Sequence, residues 1–219
     1  MKYNFVDFSV VITANSNNPS ILNQDFLKSN NIISKSWETK GQQICSPPIS
    51  QVEFKEGVRI LSQLDKIIFF EIALNDWPDN VKVIKIAQKY IQTLPHVNYL
   101  AVGINLKNTY EFPNMTKARG FIVDKFIKNG PWLKKGKPPI RTGVNLQLPL
   151  SKNHMLNLSI QDIDKKDSKK GIVLVSYNFH SDITVKGQKQ RINKIITTIK
   201  NWKKYYKTFE DIDRKYFKE

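Results

Sequence analysis

Apolar and polar side chains alternate from the start of the chain. Val6, Phe8, Val10 and Ile12 alternate with Asp7, Ser9 and Val11, which predicts a strand over 3–13 with one apolar face. Asn18 before Pro19 predicts a helix start, a side-chain cap followed by a residue whose missing N–H costs nothing there. Ile21, Leu22, Asp25 and Phe26 share one side of that short helix, which ends at Asn30-Asn31. Residues 32–37 read as a second strand, and 41–48, with Cys45 and Pro47-Pro48, as a loop. Three apolar-rich runs follow at 49–54, 58–63 and 67–74. The connections Lys55-Glu56-Gly57 and Leu64-Asp65-Lys66 are short enough for antiparallel hairpins. After a loop over 75–80, Val81, Ile84, Ala87, Ile91 and Leu94 recur at helical spacing until Pro95 stops them.

The order then begins again. Residues 99–106 alternate around Gly103. Phe121, Ile122, Lys125 and Phe126 predict a helix from Thr116 to Gly130, and 131–141 form a loop rich in proline and lysine. Strands are predicted over 142–150, 155–163 and 171–179, with a charged connection at 164–170, and one long helix runs from Lys186. Residues 1–95 thus read β-α-β-β-β-β-α and residues 96–219 β-α-β-β-β-α. The fold class is α+β: a curved antiparallel sheet, or two joined sheets, with helices on one face. The element order suggests a duplicated β-α-β(3-4)-α unit within one compact domain, although no residue-by-residue repeat links the halves.

Charge changes this picture. The formal net charge is +16, from 35 Lys/Arg and 19 Asp/Glu. Residues 1–109 contribute 11 basic and 9 acidic residues, a net +2; residues 110–219 hold the other 24 and 10, a net +14. That asymmetry points to a polyanionic partner, whether nucleic acid, membrane surface or acidic protein. It also fits a lysine-rich composition with no function attached. The single cysteine rules out an internal disulfide, and no apolar run is long enough to span a bilayer. The expectation is a soluble cytoplasmic protein without a signal peptide.

Two resemblances can be drawn. The runs Phe8-Ser9-Val10-Val11-Ile12, Asn18 to Asn23, Ser46 to Val52 and Leu94 to Asn105 are similar to a family of uncharacterised bacterial proteins of comparable length. That family brings no activity and no functional residues with it. The element order resembles the duplicated fold of TATA-binding protein and its helix-grip relatives, a likeness of architecture that carries no function by itself.

No catalytic motif stands out, and the enzyme reading is weak. His96, His154 and His180 lie in three separate elements without a zinc-type spacing partner; His96 reads as a cap or surface residue. Cys45 has no local base to activate it. Ser176 and Ser181 lie outside any nucleophile-elbow motif, and no glycine pattern cradles phosphate. Asp162 and Asp164 share one face of a strand and could hold a divalent ion, but the adjoining lysines indicate a solvated hairpin tip. No cofactor or metal is called for.

Two segments suit anions. In the first, Lys128, Lys134, Lys135, Lys137 and Arg141 surround Trp132, pairing phosphate neutralisation with a stacking ring; the competing reading is that the ring anchors the loop to the core and the lysines solvate it. The second is the final helix. There Ile192, Ile195, Ile196, Ile199, Trp202 and Tyr206 form an apolar stripe, expected to pack on the sheet. Lys189, Arg191, Lys194, Lys200, Lys203, Lys204 and Lys207 occupy its other faces. The leading expectation is a non-enzymatic binding protein that engages nucleic acid through its C-terminal half. The alternatives are an assembly subunit that binds an acidic partner and a protein with a small-molecule cavity between sheet and helix.

Overall fold

The computed structural model describes residues 2–72, 77–128, 130–131, 135, 140–164 and 169–217. Among these, nine strands form one open antiparallel sheet: β1 (Lys2–Asn15), β2 (Ile44–Cys45), β3 (Ile49–Glu53), β4 (Val58–Gln63), β5 (Lys66–Ile72), β6 (Asn98–Phe112), β7 (Gly143–Ser151), β8 (His154–Ile163) and β9 (Gly171–Asp182). Across the sheet they run β2-β3-β4-β5-β1-β6-β9-β8-β7. Five α-helices accompany them: α1 (Gln24–Ser29), α2 (Val83–Thr93), α3 (Met115–Ile122), α4 (Gln188–Lys200) and α5 (Trp202–Phe217). The α+β class and the antiparallel meanders follow the sequence pattern.

The two halves meet at β1 and β6, which pair from Lys2 opposite Glu111 to Asn15 opposite Asn98. Outward from this pair the sheet reads β1-β5-β4-β3-β2 on one side and β6-β9-β8-β7 on the other. The first half is β1, α1, a meander that returns to β1, and α2; the second is β6, α3, a meander that returns to β6, and the helices α4 and α5. The closing helices, α2 and α4, touch each other.

Strand alternation makes the two faces unlike. One row, Val52–Ile60–Phe69–Val10–Ile104–Phe179–Leu156–Leu148, crosses eight strands. All of it but Leu148 is buried, and α2, α4 and α5 lie over this side. One residue along, the row Glu53–Arg59–Phe70–Ser9–Asn105–Asn178–Asn157–Gln147 crosses the opposite face. Period-two alternation thus sends the buried aliphatic and aromatic side chains under the helices, while the other side carries amides across β6, β9, β8 and β7 and sets Arg59 over the Phe70 ring across β4 and β5.

Helix ends are fixed from the sheet. Nothing on α2 caps its own start; Glu71, buried at the end of β5, accepts the N–H groups of Lys82 and Val83 through Oε2 at 2.8 and 3.1 Å. A carboxylate at a helix N-terminus satisfies orphan donors and opposes the dipole. Asn114 caps α3 through Lys117 N–H, and its backbone presses on β9. A Cβ on Gly171 would lie 2.2 Å from the Asn114 carbonyl oxygen.

Three expectations need correction. Residues 32–37 form no strand: Asn31 takes a positive φ of 54°, and the Ile32 and Ile33 N–H groups both turn back to the Leu27 carbonyl, so the chain folds onto the end of α1. The loop over 41–48 contributes the short edge strand β2. The long final helix is two helices broken at Asn201. The apolar stripe survives the break. Ile195 and Ile199 are buried from α4, and Trp202, Tyr205, Phe209 and Phe217 from α5, while Ile192 is only partly covered. Trp202 meets Phe8 edge-on, with Trp77 and Tyr206 alongside.

Truncating Trp202 to alanine is expected to cost about 3 kcal/mol, read from urea denaturation; a loss below about 0.5 kcal/mol would mean that the stripe does not hold the helix down. Gly171→Ala should destabilise by about 1–3 kcal/mol because backbone occupies the space. Gly120→Ala, inside α3 with nothing within 4 Å of the added carbon, should be neutral or stabilise by up to about 1 kcal/mol. Equal effects of the two glycine changes would refute the packing of α3 on β9.

Candidate anion-binding groove

Between Asp182 and Glu210 the chain carries eight Lys/Arg residues and no acid. Among the described residues, none of Lys189, Arg191, Lys194, Lys200, Lys203 and Lys204 is in an ion pair. Arg191 is bound elsewhere, its Nη1 donating to Asn98 Oδ1 and tying α4 to the start of β6. Lys189, Lys200 and Lys203 are exposed on the helix surface. Lys207 shares a shallow hollow with Glu210, Asp211 and Arg214, where the charges are mixed.

Lys194 and Lys204 converge. Together with Ser151, His154, Thr197 and Asn201 they line a groove of about 370 Å³ between the helix pair and the β7–β8 hairpin. Helical periodicity explains the convergence: Lys194, Thr197, Asn201, Lys204 and Thr208 follow one another at intervals of three and four, a polar stripe beside the apolar one. His154 joins from the sheet because even-numbered residues of β8 face the helices. Its Nδ1 lies 2.7 Å from Oγ of the buried Ser181, its cross-strand neighbour. Burial holds the His154 pKa below the ordinary imidazole value; the positive charges of Lys194 and Lys204 add to this, and Asp182 opposes it. The groove thus offers two ammonium groups, an imidazole that is neutral near pH 7, and hydroxyl and amide groups, a donor set suited to phosphate oxygens.

The loop segment is not part of it. Lys128, Lys135 and Arg141 are exposed and do not line the groove; Lys128, with a φ of 69°, ends the wider helical turn Val123–Ile127 that follows α3. Trp132, Lys134 and Lys137 lie outside the described residues.

A second hollow, also of about 370 Å³, opens on the helix-free face over Asn105, Asn145, Gln147, Asn157, Ser176 and Asn178. Its amides are locked in series. Asn157 Nδ2 donates to Asn178 Oδ1 at 3.0 Å, Asn178 Nδ2 donates to Asn105 Oδ1, and Asn105 Nδ2 donates to Ser9 Oγ at 3.3 Å. Gly103 leaves the space that the Asn178 amide fills. Lys107, on the rim, is paired with Asp7 at 3.3 Å. The hollow is lined by amides and hydroxyls without excess charge.

The carboxylate expectation is overturned in part. Asp162 is not at a solvated tip: its side chain is 2% exposed, Oδ2 accepts Arg119 Nε at 3.0 Å, and Oδ1 accepts the Thr142 N–H at 2.6 Å. It ties α3 and the start of β7 to the sheet, while Asp164 is exposed. Residues 165–168 lie outside the described residues. No group of three or more His, Cys, Asp or Glu is placed to hold a metal among the described residues, and His180 faces Asp182 alone at 3.0 Å. Cys45 is exposed. Among the described residues, no helix is long and apolar enough to cross a membrane.

Sequence reasoning missed Asp213, fully buried on α5, where Asn108 Nδ2 donates to Oδ1 at 2.8 Å and the Tyr110 hydroxyl also donates. Burial, and then the Asp213 charge, raise the pKa of Tyr3 and Tyr177 along with that of Tyr110. The signal was present: Tyr205, Phe209, Asp213 and Phe217 fall at intervals of four, an acid inside an apolar row. Asp213, Asn108 and Tyr110 are fully buried, and their hydrogen bonds fix α5 on the sheet.

Comparison with protein-family models and with curated proteins finds no match to the chain, so the groove is read from its own chemistry. Removing Asp162 would leave Arg119 partly buried and uncompensated. Asp162→Ala is expected to cost about 3 kcal/mol, checked by thermal or urea unfolding; a cost near zero would return this residue to the solvated-tip reading.

Proposed function

We propose that the protein is a non-enzymatic nucleic-acid-binding protein that holds backbone phosphates in the groove between α4, α5 and the β7–β8 hairpin. One observation carries this reading: Lys194 and Lys204, from a segment without acids, face the same groove beside His154. Phosphate contacts of this kind give affinity and position without reading sequence. Lys200 and Lys203, exposed on the same helix pair, extend the positive surface along which a strand can track.

Fluorescence anisotropy with a labelled oligonucleotide at several salt concentrations tests it. Binding should weaken steeply with salt, and Lys194→Gln with Lys204→Gln should reduce the log–log slope by about 2, one for each phosphate no longer neutralised. Lys85→Gln, on the exposed side of α2, should change nothing. Absence of binding to DNA and RNA at low salt would overturn the proposal in favour of an acidic protein partner on the same groove.

A second reading rests on the amide row of the helix-free face. Its side chains are held in place by one another and its charge is balanced, which supports a neutral, hydrogen-bonding small molecule in that hollow. Such a ligand would bind with little dependence on salt, which separates it from the phosphate groove.

A further inference from the structure

The groove contains one group whose charge is not fixed near neutral pH. His154 lines it with Lys194 from α4 and Lys204 from α5. Among the described residues only its Nδ1 has a protein hydrogen-bond partner, the hydroxyl of Ser181. The other charges around it are Lys152, in the hairpin turn beside it, and Asp182 on β9, whose carboxylate is 3.0 Å from His180 Nε2. Cations therefore dominate the surroundings of the ring, and an empty groove disfavours a third positive charge.

We propose that the groove is a proton-linked phosphate site, in which His154 is neutral while the groove is empty and takes up a proton when a phosphate settles between Lys194 and Lys204. This deepens the phosphate-binding reading, on which it rests, by giving the site a pH control. A backbone diester brings one negative charge and a chain-end monoester close to two at neutral pH. Either offsets the lysines that oppose protonation of the ring, and the imidazolium then becomes a third cation against the phosphate. Linkage makes the effect reciprocal. If phosphate favours the proton, the proton favours phosphate by the same factor. Affinity therefore rises as pH falls through the imidazole range, around 6.5 and below.

The sign for the unliganded protein is opposite. A histidine harder to protonate in the folded chain than in the unfolded one lowers stability as pH falls below about 6.5. Acid should destabilise the free protein while tightening its hold on phosphate.

Two measurements on the full chain test the proposal. First, the His154 imidazole resonance is followed by NMR against pH, alone and with a saturating 5′-hydroxyl oligonucleotide, whose diester charges do not titrate in this range. Its midpoint should rise on binding; a rise of one unit corresponds to about tenfold tighter binding at the acidic limit. An unmoved midpoint would overturn the proposal. Second, the ratio of Kd at pH 8.0 to Kd at pH 5.5 should be several-fold larger for the wild type than for His154→Gln, while His180→Gln behaves as wild type. Equal ratios for the wild type and His154→Gln would also overturn it. A 5′-phosphorylated oligonucleotide distinguishes the source of the phosphate: a larger midpoint shift with it assigns the groove to chain ends, and an equal shift assigns it to the backbone. Binding with a flat pH profile removes this inference alone, whereas no binding at all removes the functional reading with it.

Discussion

The pairing of β1 with β6 is the interaction on which the rest of the structure depends. These are the longest strands of the sheet, and each carries the first residues of its half of the chain to the centre. Their register places Val10 against Ile104 and Ser9 against Asn105. That alignment sets which face of every later strand is apolar, because each meander pairs back onto one of the two central strands. A shift of one residue would put Phe8, Val10 and Ile12 on the amide side and Ser9 under the helices, so burial of the aromatic and aliphatic set specifies the register strongly.

From that constraint the two surfaces follow. The apolar face must be covered, and α2, α4 and α5 cover it with Tyr90, Ile195, Trp202 and Phe209. The helices then present their remaining sides outward. From Lys189 on α4 to Lys207 on α5 these sides carry lysine with no acid in between, and the β7–β8 hairpin closes a groove against them. The opposite face keeps the asparagines of β6, β8 and β9 within reach of one another and interlocked. Three buried carboxylates tie elements together: Glu71 at the start of α2, Asp162 with Arg119 and Thr142, and Asp213 with Asn108 and Tyr110.

Much of this architecture was legible in the sequence because it is local. Alternation from Val6 to Ile12 reports a strand, and Val81 to Leu94 reports an amphipathic helix, whatever the rest of the chain does. What was not legible depends on contacts between distant segments. Ile32 and Ile33 have strand propensity, but their amides are captured by Leu27 at the end of α1. Asn201 interrupts a stripe whose spacing continues almost undisturbed across the break, so periodicity alone joins the two helices. Asp162 looked solvated because of its lysine neighbours in sequence; its neighbours in space are Arg119 and Thr142. The site is the sharpest case. Lys194 and Lys204 were visible as members of a basic helix, but nothing local distinguishes them from Lys200 or Lys203. His154 enters only because antiparallel pairing sets it opposite Ser181, beneath the helix pair.

The central claim is that charge on α4 and α5, and not the polar sheet face, is where this protein meets its partner. Amide chemical-shift mapping during titration with a short single-stranded oligonucleotide at low salt addresses it directly. The account expects the largest changes at Ser151, His154, Lys194, Thr197, Asn201 and Lys204, with Asn105, Asn157 and Asn178 unmoved. Changes concentrated on those three asparagines, or spread evenly over every lysine of the surface, would contradict it.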